Sequence, residues 1–199
     1  GRLLGTPNAV RVAGDVRANE NIALTATHTL FAREHNRIVN SLPIIISQDT
    51  KFAIARRIVI AEQQWITYTE FLPTLGISLP SYQGYKTNVN ANLGNEFATV
   101  GYRAHSMIHG EIEVEADAAR YSQAALDAIE AQGVEVGPGE EEGELAFVIP
   151  LNVAFFNPDL LQNLQLGPLL QGIGSEREYR NDEQIDNQLR SVLFQVPVS

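Results

Sequence analysis

The chain has 199 residues, 44% of them hydrophobic, and a formal charge of −10 from 14 Lys+Arg against 24 Asp+Glu. That suffices for one sizeable core, and an acidic chain without a basic run is a poor nucleic-acid binder, because phosphate contacts need clustered Lys and Arg. Cysteine is absent, which excludes disulfides, zinc–thiolate sites, iron–sulfur clusters and thiolate chemistry.

The first twelve residues read as an irregular lead-in with a turn at Thr6-Pro7-Asn8. GRLLGTPNAV has no signal-peptide pattern and no Met, so the chain is expected to be a processed or excised piece. From about Asn19 to Leu42 the apolar positions Ile22, Leu24, Leu30, Phe31, Ile38 and Val39 fit helical spacing. Asn19 or Asn21 is a candidate cap, and Pro43 ends the segment. The longest apolar run, LPIIIS at 42–47, falls far short of the roughly 20 residues a membrane span needs.

A second helix is predicted over 48–75. Ser47 or Asp49 would cap it, and a broad apolar face would run from Phe52 through Val59 and Trp65 to Phe71. Residues 77–92 are turn-rich and read as a loop. A third helix is predicted from Leu93 to His109, with Gly110 at its C′ position. Residues 111–117, EIEVEAD, alternate like a strand. A short helix follows at 121–132, then a solvated acidic loop at 133–144. LAFVIPLNVAFF is apolar and fits either an extended or a helical conformation. Two further helices are predicted at 158–173 and 176–195. No internal repeat is present, and the reading is mainly α with little β.

Chemistry concentrates in two places. The stretch AGDVRANENIALTATHTLFAREHNR at 13–37 sets many polar groups beside an apolar face. Arg17 and Glu20, three apart at a helix start, read first as a salt bridge or cap. The four histidines are His28, His35, His105 and His109. His28 and His35 share roughly one helix face. His105 and His109 form an H-x-x-x-H pair, a spacing that on a helix can hold a divalent metal, although the glutamate of an HExxH motif is missing. The ordinary reading of a histidine at an apolar boundary is a hydrogen-bonded packing residue.

AGDVRANE followed by HTLFAREHNR resembles the animal-type haem peroxidase superfamily, which includes peroxidasin-like proteins of bacteria. The resemblance rests on Ala13, Gly14, Asp15, Arg17 and Glu20, then His28, Thr29, Arg33, Glu34, His35, Asn36 and Arg37. Further stretches agree in order: 55–76, EFATVGYRAHSM at 96–107, VAFFNPDLL at 153–161 and IDNQLRSVLF at 185–194. The resemblance covers nearly the whole chain. It implies a single haem-peroxidase-like domain over 1–199, the central portion of such a domain, truncated at both ends.

By that resemblance, Arg17 lies on the distal side of a haem and polarises bound peroxide, a task suited to a fixed cation. Glu20 can form an ester to a haem methyl, so the haem would be b-type or partly covalent. His105 is the proximal iron ligand, with Arg103 beside it in the cofactor-binding segment. His28 and His35 are packing and hydrogen-bonding residues. Peroxide and a small-molecule donor are the implied partners, and secretion is the implied localisation. The family's calcium-binding loop lies upstream of the AGD segment and outside these residues, as does its distal histidine: no histidine precedes Ala13. The downstream asparagine that accepts the proximal histidine's N–H, in an N-x-x-R-x-R-D-H-G segment, is not present either.

One departure changes the chemistry that the resemblance implies. Where peroxidases show R-[FY]-G-H, this chain has Tyr102-Arg103-Ala104-His105. A tyrosine three before the proximal histidine resembles the fatty-acid dioxygenase branch, in which it forms the hydrogen-abstracting radical. A simple positional shift of Tyr102 and Arg103 is the competing explanation. Three functions follow: a haem peroxidase or a portion of one, a haem-dependent fatty-acid dioxygenase using Tyr102, and a truncated, non-catalytic haem-binding domain. The sequence does not give the donor substrate or the oligomeric state.

Overall fold

The computed structural model describes residues 10–194. The expected turn at Thr6-Pro7-Asn8 lies outside them. Contacts divide the chain into two compact units: one takes residues up to Thr29 and from Gly101 onward, the other Leu30–Val100.

The first unit begins with a 3₁₀ turn, Val16–Asn19, capped by the Asp15 carboxylate, which accepts from the Arg17 N–H. Helix α1, Ile22–Ser41, follows. Its start is fixed by Asn21, whose side-chain oxygen accepts from the Ala23 N–H. Thr25 is fully buried and donates its hydroxyl to the Ala18 carbonyl, tying the turn to the helix. Ile22 and Ala26 enter the first unit's core, whereas Ile38, farther along α1, belongs to the second unit's.

That first core is built on an antiparallel sheet of order β1–β3–β2, with β1 at Glu111–Asp117, β2 at Glu135–Pro138 and β3 at Glu144–Pro150. In β1, Ile112, Val114 and Ala116 point inward and alternate with less buried residues, as period-two patterning requires. Phe147 and Ile149 of central β3 are wholly buried. The expected acidic loop at 133–144 is therefore half strand. Glu135–Pro138 pairs with β3, leaving Gly139–Gly143 as the turn. Its charges misled because an edge strand can keep one face in water. The apolar run after it resolves into both alternatives, β3 and then the short helix α5, Leu151–Ala154. Helix α4, Gln123–Glu130, is capped by Ser122.

The predicted helix at 158–173 is two helices, α6 at Asp159–Leu164 and α7 at Leu166–Ser175. Gln165 breaks them with a φ of 67°. Its side chain exchanges hydrogen bonds with Arg120, and the Leu164 carbonyl accepts from the buried Tyr121 hydroxyl at 2.8 Å. These partners hold a conformation that Gln does not favour on its own. α7 crosses β1 at Gly172, where an added Cβ would meet the Glu113 carbonyl and Val114. The predicted helix at 176–195 shortens to α8, Asn187–Phe194, preceded by an irregular stretch.

The second unit contains the rest of α1 and helix α2, Gln48–Ile66, capped by Ser47. α2 runs on through a π-helical turn, Thr67–Phe71, into α3, Leu72–Thr74. Gly76 ends it at φ 76°, with Gly76 N–H bonded to the Pro73 carbonyl and Ile77 N–H to the Leu72 carbonyl, a Schellman closure. The expected apolar face of α2 is mostly outside: Ala55 and Val59 are buried with Ile38, while Phe52, Trp65 and Phe71 are exposed. Residues 77–92 are irregular apart from brief turns, as expected. Of the helix predicted over 93–109, only residues 95–101 are helical. The segment has one π-helical turn, Phe97–Gly101, and a 3₁₀ turn, His105–Met107. Phe97, Val100 and Tyr102 are exposed, so no packed face compensates the cost of helix nucleation.

Candidate functional site

Arg17 is the second residue of the capped turn. Its guanidinium makes a two-pronged ion pair with Asp15, at 2.9 and 2.6 Å. The hydrogen bonds from Arg17 hold the Asp15 carboxyl well below the usual carboxylate range and raise the guanidinium in turn. The Glu20 N–H donates to the Arg17 carbonyl at 2.8 Å and closes the turn, but the two side chains form no ion pair. Arg103 sets its guanidinium 4.9 Å over the Tyr102 ring, and that ring is 55% exposed.

His105 is half-buried and opens the 3₁₀ turn. The segment is pinned to the irregular stretch before α8. Ser106 donates to Asn181 and accepts from the Asp182 N–H, and the Tyr179 N–H donates to the Met107 carbonyl. Since 105–109 is a 3₁₀ turn followed by irregular chain and not an α-helix, the H-x-x-x-H pair does not present an α-helical face. Among the described residues no group of three or more His, Cys, Asp or Glu side chains could hold a metal ion. The divalent-metal reading of His105 and His109 therefore loses its geometric basis.

A cavity of about 370 Å³ lies in the first unit, at the low end of the range typical of cofactor and ligand sites. Leu24, Ile108, Ile112, Leu151, Phe155 and Ile173 give it apolar walls, and Glu20 and His109 line it too. Arg17, Tyr102, Arg103 and His105 do not. Sequence reasoning missed His109's setting. Its Nδ1 lies 2.7 Å from the Glu176 carboxylate, and its ring stacks on Tyr179 at 3.7 Å. Burial pushes the Glu176 carboxyl up, while His109 and a backbone hydrogen bond from Glu113 pull it down. His109 Nε2 is buried with no hydrogen-bond partner. Nothing local in the sequence marks Glu176 as its mate.

The other two histidines behave as packing residues. The His28 Nδ1–H donates to the Leu24 carbonyl at 2.9 Å, and His35 sits edge-on to Phe52 at 4.9 Å.

The chain belongs to the animal haem peroxidase family: the family model matches residues 5–199. It is 33% identical over 188 residues to peroxinectin A of Dictyostelium discoideum, covering 92% of this chain and 31% of that protein. To lactoperoxidase of Mesocricetus auratus it is 33% identical over 195 residues, covering 92% of this chain and 24% of that protein. The solved structure of peroxidase A from Dictyostelium discoideum superposes with a TM-score of 0.69 at 32% identity, over 90% of this chain and 31% of that one. The chain therefore spans about a third or less of the length of these relatives. Its mainly α fold agrees with the family's.

Family membership implies haem, and the donor set fits one. A neutral imidazole is a common ligand of haem iron, and the macrocycle favours apolar surface. This chain offers His105 in a half-buried turn, an apolar cavity walled in part by Glu20, and a carboxylate-bound imidazole whose second nitrogen is buried without a partner.

Proposed function

We propose that the chain is part of a haem-dependent peroxidase, one that reduces hydrogen peroxide and oxidises a small donor. The carrying observation is the family match over residues 5–199, with Glu20 of the AGDVRANE segment lining an apolar cavity. Haem supplies the redox centre when bound. His105 would hold it through its imidazole, Arg17 would supply the cation that polarises peroxide, and Glu20 would supply a carboxylate beside it. Residues 1–199 act as one haem-peroxidase-like portion, and secretion is the compartment that fits the family. The dioxygenase role of Tyr102 is less supported, because its exposed ring under Arg103 is not sheltered as a hydrogen-abstracting radical should be.

Haemin titration is the test. A saturable Soret shift is expected near one haem per chain, followed by peroxide-dependent guaiacol oxidation above that of free haemin. A chain that leaves the haemin spectrum unchanged overturns the reading.

Glu20 gives a separate expectation. After exposure to peroxide, acid–acetone should leave part of the haem attached to the parent and none to Glu20→Gln. Equal release from both would remove Glu20 from the covalent role.

A further inference from the structure

We propose that the cavity of about 370 Å³ in the first unit binds a small organic cation, an apolar single-ring body carrying an ammonium group. The inference goes beyond the haem reading and does not rest on it. Arg17, Tyr102, Arg103 and His105 do not line this cavity, and Glu20 is the only residue assigned a role toward haem that does.

The walls are held before any ligand arrives. The Phe156 N–H donates to the Glu20 carbonyl at 2.9 Å, and the Leu151 N–H to the Gly110 carbonyl at 2.8 Å. The Tyr179 N–H donates to the Met107 carbonyl at 3.0 Å. These bonds join the segments that line the cavity: the start of α1, the chain entering β1, α5 and the stretch after α7. A preformed site loses little to ordering on binding. Its inner surface is apolar, with Leu24, Ile108, Phe155 and Ile173 only partly covered by the chain itself. An apolar cavity with a few polar groups on its lining is the usual form of a small-molecule site.

The charges on that lining select the sign of the ligand. Glu20, Glu111, Glu176 and Glu178 line the cavity, against Arg177 and His109. Glu176 is held by His109 Nδ1 at 2.7 Å. None of the ion pairs among the described residues involves Glu20, Glu111 or Glu178, and Arg177 offsets only part of their charge. An anion entering the cavity is repelled, and a cation gains an opposite charge beside low-dielectric walls. The formal charge of −10 on the whole chain favours the approach of a cation further.

A bare metal ion does not suit the site. Among the described residues no group of three or more His, Cys, Asp or Glu side chains could hold one, so the carboxylates do not converge on a point. Spread round apolar walls, they suit a cation held mainly by its body, with one carboxylate at its charged end.

The experiment is ligand-observed NMR titration of the haem-free chain with phenethylammonium, phenethyl alcohol, phenylacetate and methylammonium. Phenethylammonium should bind about tenfold or more tighter than the neutral alcohol, the gain typical of a hydrogen bond to a charged group. Phenylacetate and methylammonium should bind more weakly than phenethylammonium, the first for its charge and the second for want of a ring. Added salt should weaken the ammonium and spare the alcohol. Glu111→Gln combined with Glu178→Gln should remove most of the ammonium's advantage and leave alcohol binding as it was, whereas Leu24→Gln should weaken both. The four probes on the unaltered chain decide the matter even where a variant does not fold. Equal binding of ammonium and alcohol overturns the proposal, as does equal binding of methylammonium, which would mark an acidic surface and not a cavity. So does the absence of binding by any probe, or a folded double variant that keeps the full advantage. Saturating haemin should leave the ammonium bound; its displacement would make the cavity part of the haem site and end the proposal of a separate one. Since the titration uses no haem, a failed Soret shift refutes the haem reading and leaves this one standing.

Discussion

Phe147→Ala should destabilise the chain by about 3–5 kcal/mol, the cost of emptying a fully buried aromatic site. Phe147 has no exposed surface and sits on central β3, where it pairs with Val114 on β1 and Val136 on β2. Its ring lies 5.0 Å from that of Tyr121. Tyr121 in turn holds the Leu164 carbonyl at the break between α6 and α7. The cavity would therefore open where the sheet, the 3₁₀ turn Ala118–Arg120 and both helices meet. Against a typical total of about 5–15 kcal/mol, the loss is about a fifth or more. Urea unfolding followed by far-UV circular dichroism measures it. Phe147→Leu should cost less, because it leaves a smaller void. A Phe147→Ala variant within about 1 kcal/mol of the parent would show that the site collapses or that the sheet is not the core.

Elements with local causes were readable from the sequence. α1 follows from helical spacing with Asn21 at its start, α2 from the Ser47 cap, and β1 from the alternation around Ile112, Val114 and Ala116. Elements decided by distant partners were not. Gln165 takes its positive φ in company with Arg120, and β2 exists only because β3 is there to pair with it. The segment 93–109 erred the other way. Phe97 and Val100 have the spacing of a packed helix face, yet both are exposed. The candidate site divides along the same line. Arg17 and Glu20 sit in a contiguous motif that the family resemblance reads directly. His109 and Glu176 are brought together by the way the stretch after α7 returns to residues 106–109 through Tyr179, Asn181 and Asp182.

In the haem-loaded chain, Arg17→Gln should lower peroxide turnover about 10²–10³-fold, the effect typical of removing one preorganised donor that stabilises developing charge. Arg17 is placed by short-range means. Asp15 caps the turn through the Arg17 N–H and grips the guanidinium with both oxygens. The pair is exposed, and exposed ion pairs contribute little to stability. Haemin affinity and unfolding should therefore barely change while turnover falls, a separation that a merely structural Arg17 would not produce. Arg17→Lys should recover only part of the rate. A lysine keeps the charge but not the planar fork that can meet two oxygens at once. Nor should Arg17 appear in the pH–rate profile, because its pairing with Asp15 pushes the guanidinium further up from an already high value. Guaiacol oxidation at saturating haemin, across a range of peroxide concentrations, reads both the rate and its dependence on peroxide. If Arg17→Gln turns over within about threefold of the parent, well under the loss expected for a catalytic donor, Arg17 is a cap residue and the cation acting on peroxide must be sought elsewhere in the chain.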